Sequence, residues 1–370
     1  MQFNQLVYQD PATRVYLGSP SLVRLPDGAL LASHDYFGPH SPRDMQGREF
    51  LSSIYRSDDD GASWRRLTHI AGAFWNNLFV HRGAVYLLGP SAHYGSIVIR
   101  RSDDGGYTWT RPTDSSRGLL FAGGDGVTPP NYHCAPMPVL EHQGRLYRAF
   151  EDNVSAEWGS GFAACVISAP VDADLLEAAN WRMSNKLAFD PVWAPSPMTR
   201  PGWLEGNVVA DPSGQLWDVL RFNSDPDVDL GARIAIQDEG RRIAFDPQTG
   251  FFAMPGGMTK FSIRRDPRSG RYLALVNNNT EPNCSHQRNV LSLAQSEDLW
   301  TWTLVTTLIK DDSDLSLADS LRLVGFQYVD WQFDGDDIIF LVRTAYDGAH
   351  NFHDANRMTY HRLRDYAALL

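Results

Sequence analysis

Three cysteines in 370 residues, Cys134, Cys165 and Cys284, are too few and too far apart for a disulfide framework. Their odd number also leaves at least one thiol unpaired. No run approaches about 18 apolar residues, so no membrane-spanning helix is predicted. Residues 1–8 lack the basic and apolar segments of a signal peptide. With the scarce cysteines this predicts a cytoplasmic protein, or an exported one if a leader preceded this sequence. Basic runs are missing too. Lys and Arg number 33 against 44 Asp and Glu, a net charge of −11, which argues against nucleic acid as a partner. An anionic ligand would need a local cluster of Arg or His. Helical periodicity is scarce, and only residues 173–180 read as a short helix.

What is present is apolar and aromatic. Hydrophobic residues make up 43% of the chain and aromatics 12%, including 11 tryptophans, enough for a large core. One short motif recurs. Ser57-Asp58-Asp59-Asp60-Gly61-Ala62-Ser63-Trp64 and Ser102-Asp103-Asp104-Gly105-Gly106-Tyr107-Thr108-Trp109 share Ser, Asp, Gly and Trp at the same spacing, and Ser296-Glu297-Asp298-Leu299-Trp300-Thr301-Trp302 is a shortened copy. Asp accepts from local amides, Gly supplies positive φ, and Trp packs back on the sheet. These carboxylates are therefore read as turn-stabilising rather than catalytic.

Six hairpins, each two strand-like runs around a Gly-containing turn, fall at residues 20–35, 77–89, 135–151, 206–222, 258–277 and 325–344. Further strands follow each, giving units of roughly 50 to 65 residues, the size of four-stranded propeller blades. The chain is thus expected to be all-β: a single β-propeller domain over residues 1–370, six-bladed by repeat count, with residues 5–9 supplying the fourth strand of the last blade.

In such a blade the start of the first strand and the end of the second share one mouth of the channel, opposite the Asp/Trp turns. This register collects His34, Asp35, His93, Tyr132, His133, Arg148, Glu151, Glu205, Arg221, Lys260, Gln327 and Arg343 at that mouth, followed by His350, His353, Asp354 and Asn356. Few of them suit an apolar channel. His133 lies among prolines that hold an extended strand, and His93 sits among small residues, so both are candidate proton carriers. Arg148 and Arg221 occupy equivalent positions in adjacent blades; they either contact substrate or pair with Glu151 or Glu205. Arg343, Glu205, His353 and Asn356 are further candidate substrate contacts. No cofactor is required by this set. Cys284, His286 and His350 are a weak candidate set for a divalent metal, without the short spacing of a recognised motif.

The Asp/Trp turns and Pro20-Ser21-Leu22-Val23-Arg24-Leu25-Pro26-Asp27-Gly28 resemble the sialidase superfamily of propellers. That family carries Arg-Ile-Pro just before such a segment, its Arg being one of three that clamp the substrate carboxylate; here Gly18-Ser19-Pro20 stands in its place. A wider resemblance joins residues 78–89, Gly144-Arg145-Leu146-Tyr147-Arg148, Glu205-Gly206-Asn207, Gly325-Phe326-Gln327-Tyr328 and His353-Asp354-Ala355-Asn356 to the propeller polysaccharide lyases (ulvan and rhamnose–glucuronate lyases) and related rhamnosidases. It implies seven blades where the repeats give six. It further implies β-elimination in a uronic-acid-containing glycan, with His93 or His133 as base, Tyr132 as acid, and Arg148 with Arg221 neutralising the uronate. The alternatives are a rhamnosidase-like glycoside hydrolase using two carboxylates among Asp35, Glu151 and Glu205, and a noncatalytic propeller that binds a glycan or protein.

Overall fold

The computed structural model describes residues 3–155 and 157–370. Six antiparallel sheets follow one another around a ring. Blade 1 holds Tyr16–Leu17, Ser21–Arg24, Leu30–Phe37, Leu51–Ser57 and Arg65–Ala71; blade 2 holds Asn77–His81, Ala84–Pro90, Ile97–Ser102 and Leu119–Phe121. Blade 3 is built on Arg145–Asn153 and Phe162–Pro170, blade 4 on Gly202–Ala210, Leu216–Asn223 and Leu230–Gln237. Blade 5 comprises Ser262–Arg265, Tyr272–Val276, Val290–Ser296 and Thr303–Lys310. Gly325–Asp334, Asp337–Ala345 and Arg357–Leu363 form blade 6, and Asn4–Tyr8 adds its outermost strand. The count is six, as the hairpin repeats predict, and not the seven of the lyase resemblance.

The strands bury both faces because each sheet is packed between two neighbours. The apolar core is accordingly a ring of six interfaces rather than one central mass. Tyr86, Ile97 and Leu120 of blade 2 meet Phe150 and Cys165 of blade 3, and Leu6, Leu341 and Met358 of blade 6 meet Leu17, Leu22 and Leu30 of blade 1. Equivalent clusters fill the other four joints.

The recurrent Asp turns pin the outer edges. Asp59 accepts from the Ser63 amide (2.8 Å) and the Ser57 hydroxyl (2.8 Å), while the Gly61 amide donates to Ser57 Oγ (2.8 Å). Asp104 and Asp298 repeat the pattern. Two local expectations are corrected. Residues 173–180 form only a 3₁₀ turn at Ala178–Asn180, and the one α-helix among the described residues is Leu317–Leu323, where Ser316 accepts from the Asp319 amide. The third hairpin's first strand, expected from residue 135, is shortened to Leu140–His142, because Pro136 and Pro138 remove ladder donors, and Tyr132–His133 pairs separately with the same Arg145–Asn153 strand.

Ring closure rests on pairs such as Gln5 with Thr359 and Val7 with Met358. Leu6, 7% exposed, is the side chain that this strand commits to the blade 6–blade 1 core. Leu6→Ala is expected to cost about 2 to 4 kcal/mol of unfolding free energy, measured by urea denaturation. A loss near zero would show that the N-terminal strand does not hold the ring shut.

Candidate active site

At the mouth where the first strands begin lies a cavity of about 240 Å³, walled by Asp35, Phe37, Glu49, Trp75, His93, His133, Trp158, Glu205, Tyr328, Arg343 and His353. Two β-bulges build its floor. The ladder slips between Leu204 and Asn207 in blade 4 and between Gln327 and Asp330 in blade 6. At those slips Glu205 (φ 59°) and Tyr328 (φ 53°) adopt left-handed backbone that non-glycine residues seldom take. Each bulge turns its side chain toward the other across the channel. The Tyr328 hydroxyl donates to Glu205 Oε1 at 2.9 Å, and Arg221 donates to Glu205 Oε2 at 3.0 Å. Burial alone would raise the Glu205 pKa; Arg221, backed by His133 and the Tyr328 bond, holds it below the ordinary glutamate value. Burial, then the Glu205 charge, raises that of Tyr328. The result is a protonated phenol aimed at an ionised carboxylate.

Asp35 is the second carboxyl of the cavity. Its Oδ1 accepts from the Ser19 amide (2.8 Å) and its Oδ2 from the Trp75 amide (2.7 Å). Burial nevertheless lifts its pKa to about 6, against the pull of those amides and Arg343. The reason Gly18 stands where the sialidase resemblance would place an arginine is steric: a Cβ there would come 1.5 Å from Asp35 Oδ1. Any larger residue at position 18 displaces the acid.

Cationic groups crowd the same end. Arg343, 5% exposed, lies over the rings of Phe37 (4.5 Å) and Tyr328 (4.9 Å), and its buried Nε has no hydrogen-bond partner. Arg288, 4% exposed, donates to the Gln287 carbonyl at 3.4 Å; burial, reinforced by the positive charge of Arg221, pulls its pKa down to about 9. Among the described residues neither guanidinium is in an ion pair with a carboxylate.

Of the predicted residues, the fold brings His93, His133, Glu205, Arg343 and His353 to the cavity, with Arg221 directly behind Glu205. His133 Nδ1 meets Glu151 Oε2 at 2.7 Å, and Glu151 Oε1 accepts from the Gly206 amide at 3.2 Å. His93 packs against Trp75 (4.9 Å) and Tyr94 (4.2 Å); burial pushes it down to about 4, too weak a base to carry a proton at neutral pH.

Other candidates are placed elsewhere. Tyr132 belongs to the blade 2–blade 3 core, its hydroxyl near Met183 Sδ and its ring under Lys186. Arg148 spends its donors on Asn77 Oδ1, the Ala149 carbonyl and the Ala135 carbonyl, which fixes it as a brace between blades. Asn356 clamps its own loop through Tyr346 and Asp347. His350 pairs with Asp354 at 2.9 Å, while part-buried Cys284 and exposed His286 lie in another loop. Among the described residues no group of three or more His, Cys, Asp or Glu is placed to hold a metal ion. Sequence reasoning gave no role to Tyr328, Arg288, Glu49 or Trp75. Only Tyr328 carried a signal, since it closes the quoted Gly325-Phe326-Gln327-Tyr328 segment.

No protein-family profile matches the chain, and no curated protein sequence does. Solved structures do. An α-L-arabinanase of Penicillium chrysogenum complexed with arabinobiose superposes with a TM-score of 0.60 at 16% identity, over 100% of this chain and 99% of that one. An α-L-arabinofuranosidase of Fusarium graminearum with an iminosugar inhibitor gives 0.60 at 14% identity, over 98% of each chain. The intramolecular trans-sialidase of Ruminococcus gnavus with oseltamivir carboxylate gives 0.58 at 15%, over 99% and 98%. The likeness is one of fold: a six-bladed β-propeller shared with these proteins.

Carboxyl titration tests the Asp35 environment. One carboxyl carbon should titrate by NMR near pH 6 and vanish from the spectrum of Asp35→Asn. The native state holds that extra proton between the ordinary aspartate value and about 6. This group's contribution to stability therefore falls as pH rises through that window. Gly18→Ala should move the midpoint; an unchanged midpoint would mean that the carboxyl does not occupy the space above Gly18.

Proposed function

We propose that the chain is a retaining glycoside hydrolase that acts on a sugar acid, a uronate or ulosonate, at the bond to its anomeric carbon. The observation that carries this reading is the buried Tyr328–Glu205 pair set beside two guanidinium groups, Arg288 and Arg343, that have no carboxylate partner among the described residues. Buried unpaired cations are costly, and an anionic ligand offsets that cost. An anionic substrate also repels a carboxylate nucleophile, whereas a neutral phenol is not repelled and is activated by passing its proton to an adjacent base. Sialidases are the glycosidases that use tyrosine in this way.

In the first step the Tyr328 oxygen bonds to the anomeric carbon while its proton passes to Glu205. Asp35 gives its proton to the departing glycosidic oxygen. Arg288 and Arg343 hold the substrate carboxylate, and Arg221 keeps Glu205 ionised and able to accept. In the second step Asp35 takes a proton from water, the resulting hydroxyl bonds to the anomeric carbon, and Tyr328 leaves and regains its proton from Glu205. Two displacements return the original anomeric configuration. Support from the comparisons lies in neighbours on this architecture whose structures hold arabinobiose or oseltamivir carboxylate.

A second reading, elimination, has one observation in its favour. His133, oriented through Nδ1 by Glu151, lines the same cavity as Tyr328 and leaves Nε2 uncommitted. His133 and Tyr328, rather than His133 and Tyr132, would then be base and acid, with Arg343 on the uronate.

Aryl glycosides of glucuronate, N-acetylneuraminate and arabinofuranose distinguish these readings. Hydrolysis of a sugar-acid glycoside with retained configuration is expected, its kcat/KM falling as pH rises through about 6, where Asp35 loses its proton. Tyr328→Phe should lower kcat by at least about a thousandfold. An ultraviolet-absorbing unsaturated uronate would establish elimination instead. Preference for the neutral arabinofuranoside, unaffected by Arg343→Ala, would overturn the sugar-acid assignment.

A further inference from the structure

Arg343 is oriented by a short relay that the hydrolase chemistry above does not itself use. Asp354 Oδ1 and His353 Nδ1 are 2.8 Å apart, and Arg343 Nη2 lies 3.2 Å from His353 Nε2 and 2.6 Å from the His353 carbonyl oxygen. A guanidinium has no acceptor and a carboxylate no donor. The only hydrogen arrangement that satisfies both contacts is a neutral imidazole with its proton on Nδ1, donating to Asp354 and accepting from Arg343 at Nε2. The relay is held at both ends. Asn351 Oδ1 accepts from the amides of His353 and Asp354, Asn351 Nδ2 donates to Asp354 Oδ2, and Gln327 Nε2 donates to the His353 carbonyl. Phe37 meets the His353 ring edge-on at 5.4 Å and also underlies Arg343.

We propose that His353, with Asp354 behind it, is a positioning residue that presents Arg343 to the substrate carboxylate and so stands in for the clamping arginine that Gly18 excludes. This rests on the sugar-acid reading of Arg343. The relay consumes Nη2, holds the guanidinium over the rings of Phe37 and Tyr328, and leaves Nη1 for an anion. It also ties Arg343 to the residue after Gln327, which is the nucleophile itself. A protonated His353 could not accept from Arg343. The charged and titratable groups around the ring are Asp354, Arg343 and Arg288, with His350 on the far oxygen of Asp354.

Two substitutions separate positioning from packing. Glutamine can place an acceptor oxygen near the Nε2 position; leucine fills a similar volume without one. Calorimetric binding of glucuronate and of N-acetylneuraminate to the full chain is the readout, with thermal unfolding checking that each variant folds. His353→Leu is expected to weaken binding about tenfold or more, the effect of one lost charge-assisted contact, and His353→Gln to restore most of it. Equal loss in both variants, or none in either, overturns the proposal. Imidazole nitrogen NMR of the ligand-free protein gives an independent answer: a His353 proton on Nδ1 at neutral pH supports the relay, and one on Nε2 or on both nitrogens overturns it. If the tautomer is as expected but neither sugar acid binds the parent protein, or Arg343→Ala binds them unchanged, then it is the sugar-acid reading that fails.

Discussion

The hydrogen bond between Tyr328 and Glu205 is the constraint around which the mouth of this propeller is arranged. It joins blades 4 and 6 across the channel and needs a bulge in each, so that two non-glycine residues are held at positive φ. Such backbone persists only where the surroundings over-determine it, and it gathers at functional sites. Here the surroundings are explicit. Arg221 takes the second oxygen of Glu205, Glu151 takes the Gly206 amide, and the space above Gly206 is filled by Asp218, whose Oδ1 would lie 2.0 Å from any added Cβ. A ring of six interblade cores supplies the rigidity that lets a side chain from one blade meet one from another with fixed geometry.

Charge follows from that geometry. The chain is acidic overall, yet the end of the channel concentrates Arg221, Arg288 and Arg343, of which only Arg221 has a carboxylate partner among the described residues. These cations are interleaved with Asp35, Glu49 and Glu205, which line the same cavity. Asp35, raised by burial to about 6, keeps its proton further toward neutrality than an ordinary aspartate, while Glu205 is held down by Arg221. Two carboxyls with opposed shifts in one cavity are the pattern that separates an acid from a base.

How much of this was legible in the sequence depends on the range of the interaction. The Asp turns are closed by contacts within four residues, so Asp59, Asp104 and Asp298 could be read directly, and with them the blade period. The strand alternation placed Glu205, Arg343, His133, His93 and His353 at one mouth, and the fold does bring these five to a single cavity. It failed where the ladder departs from period two. A bulge moves one residue to the other face, so Tyr328 was passed over next to Gln327. Arg148, counted as a mouth residue by its place in the ladder, turned instead into the joint between blades. Tyr132 shows the opposite error: a Tyr and an Arg at a suggestive spacing matched a pattern, but the phenol points into an apolar core. The empty arginine position was visible in Gly18, yet its cause, the Asp35 carboxyl lying against the glycine, exists only in three dimensions.

The account stands or falls on the identity of the nucleophile. A fluorinated sugar-acid analogue with an activated leaving group slows the second displacement and lets the glycosyl-enzyme accumulate for peptide mapping by mass spectrometry. The account predicts one adduct, on the peptide that contains Tyr328 and on the tyrosine itself, absent from Tyr328→Phe. An adduct on Glu205 or another side chain, or steady turnover of the analogue with no covalent species, would contradict it.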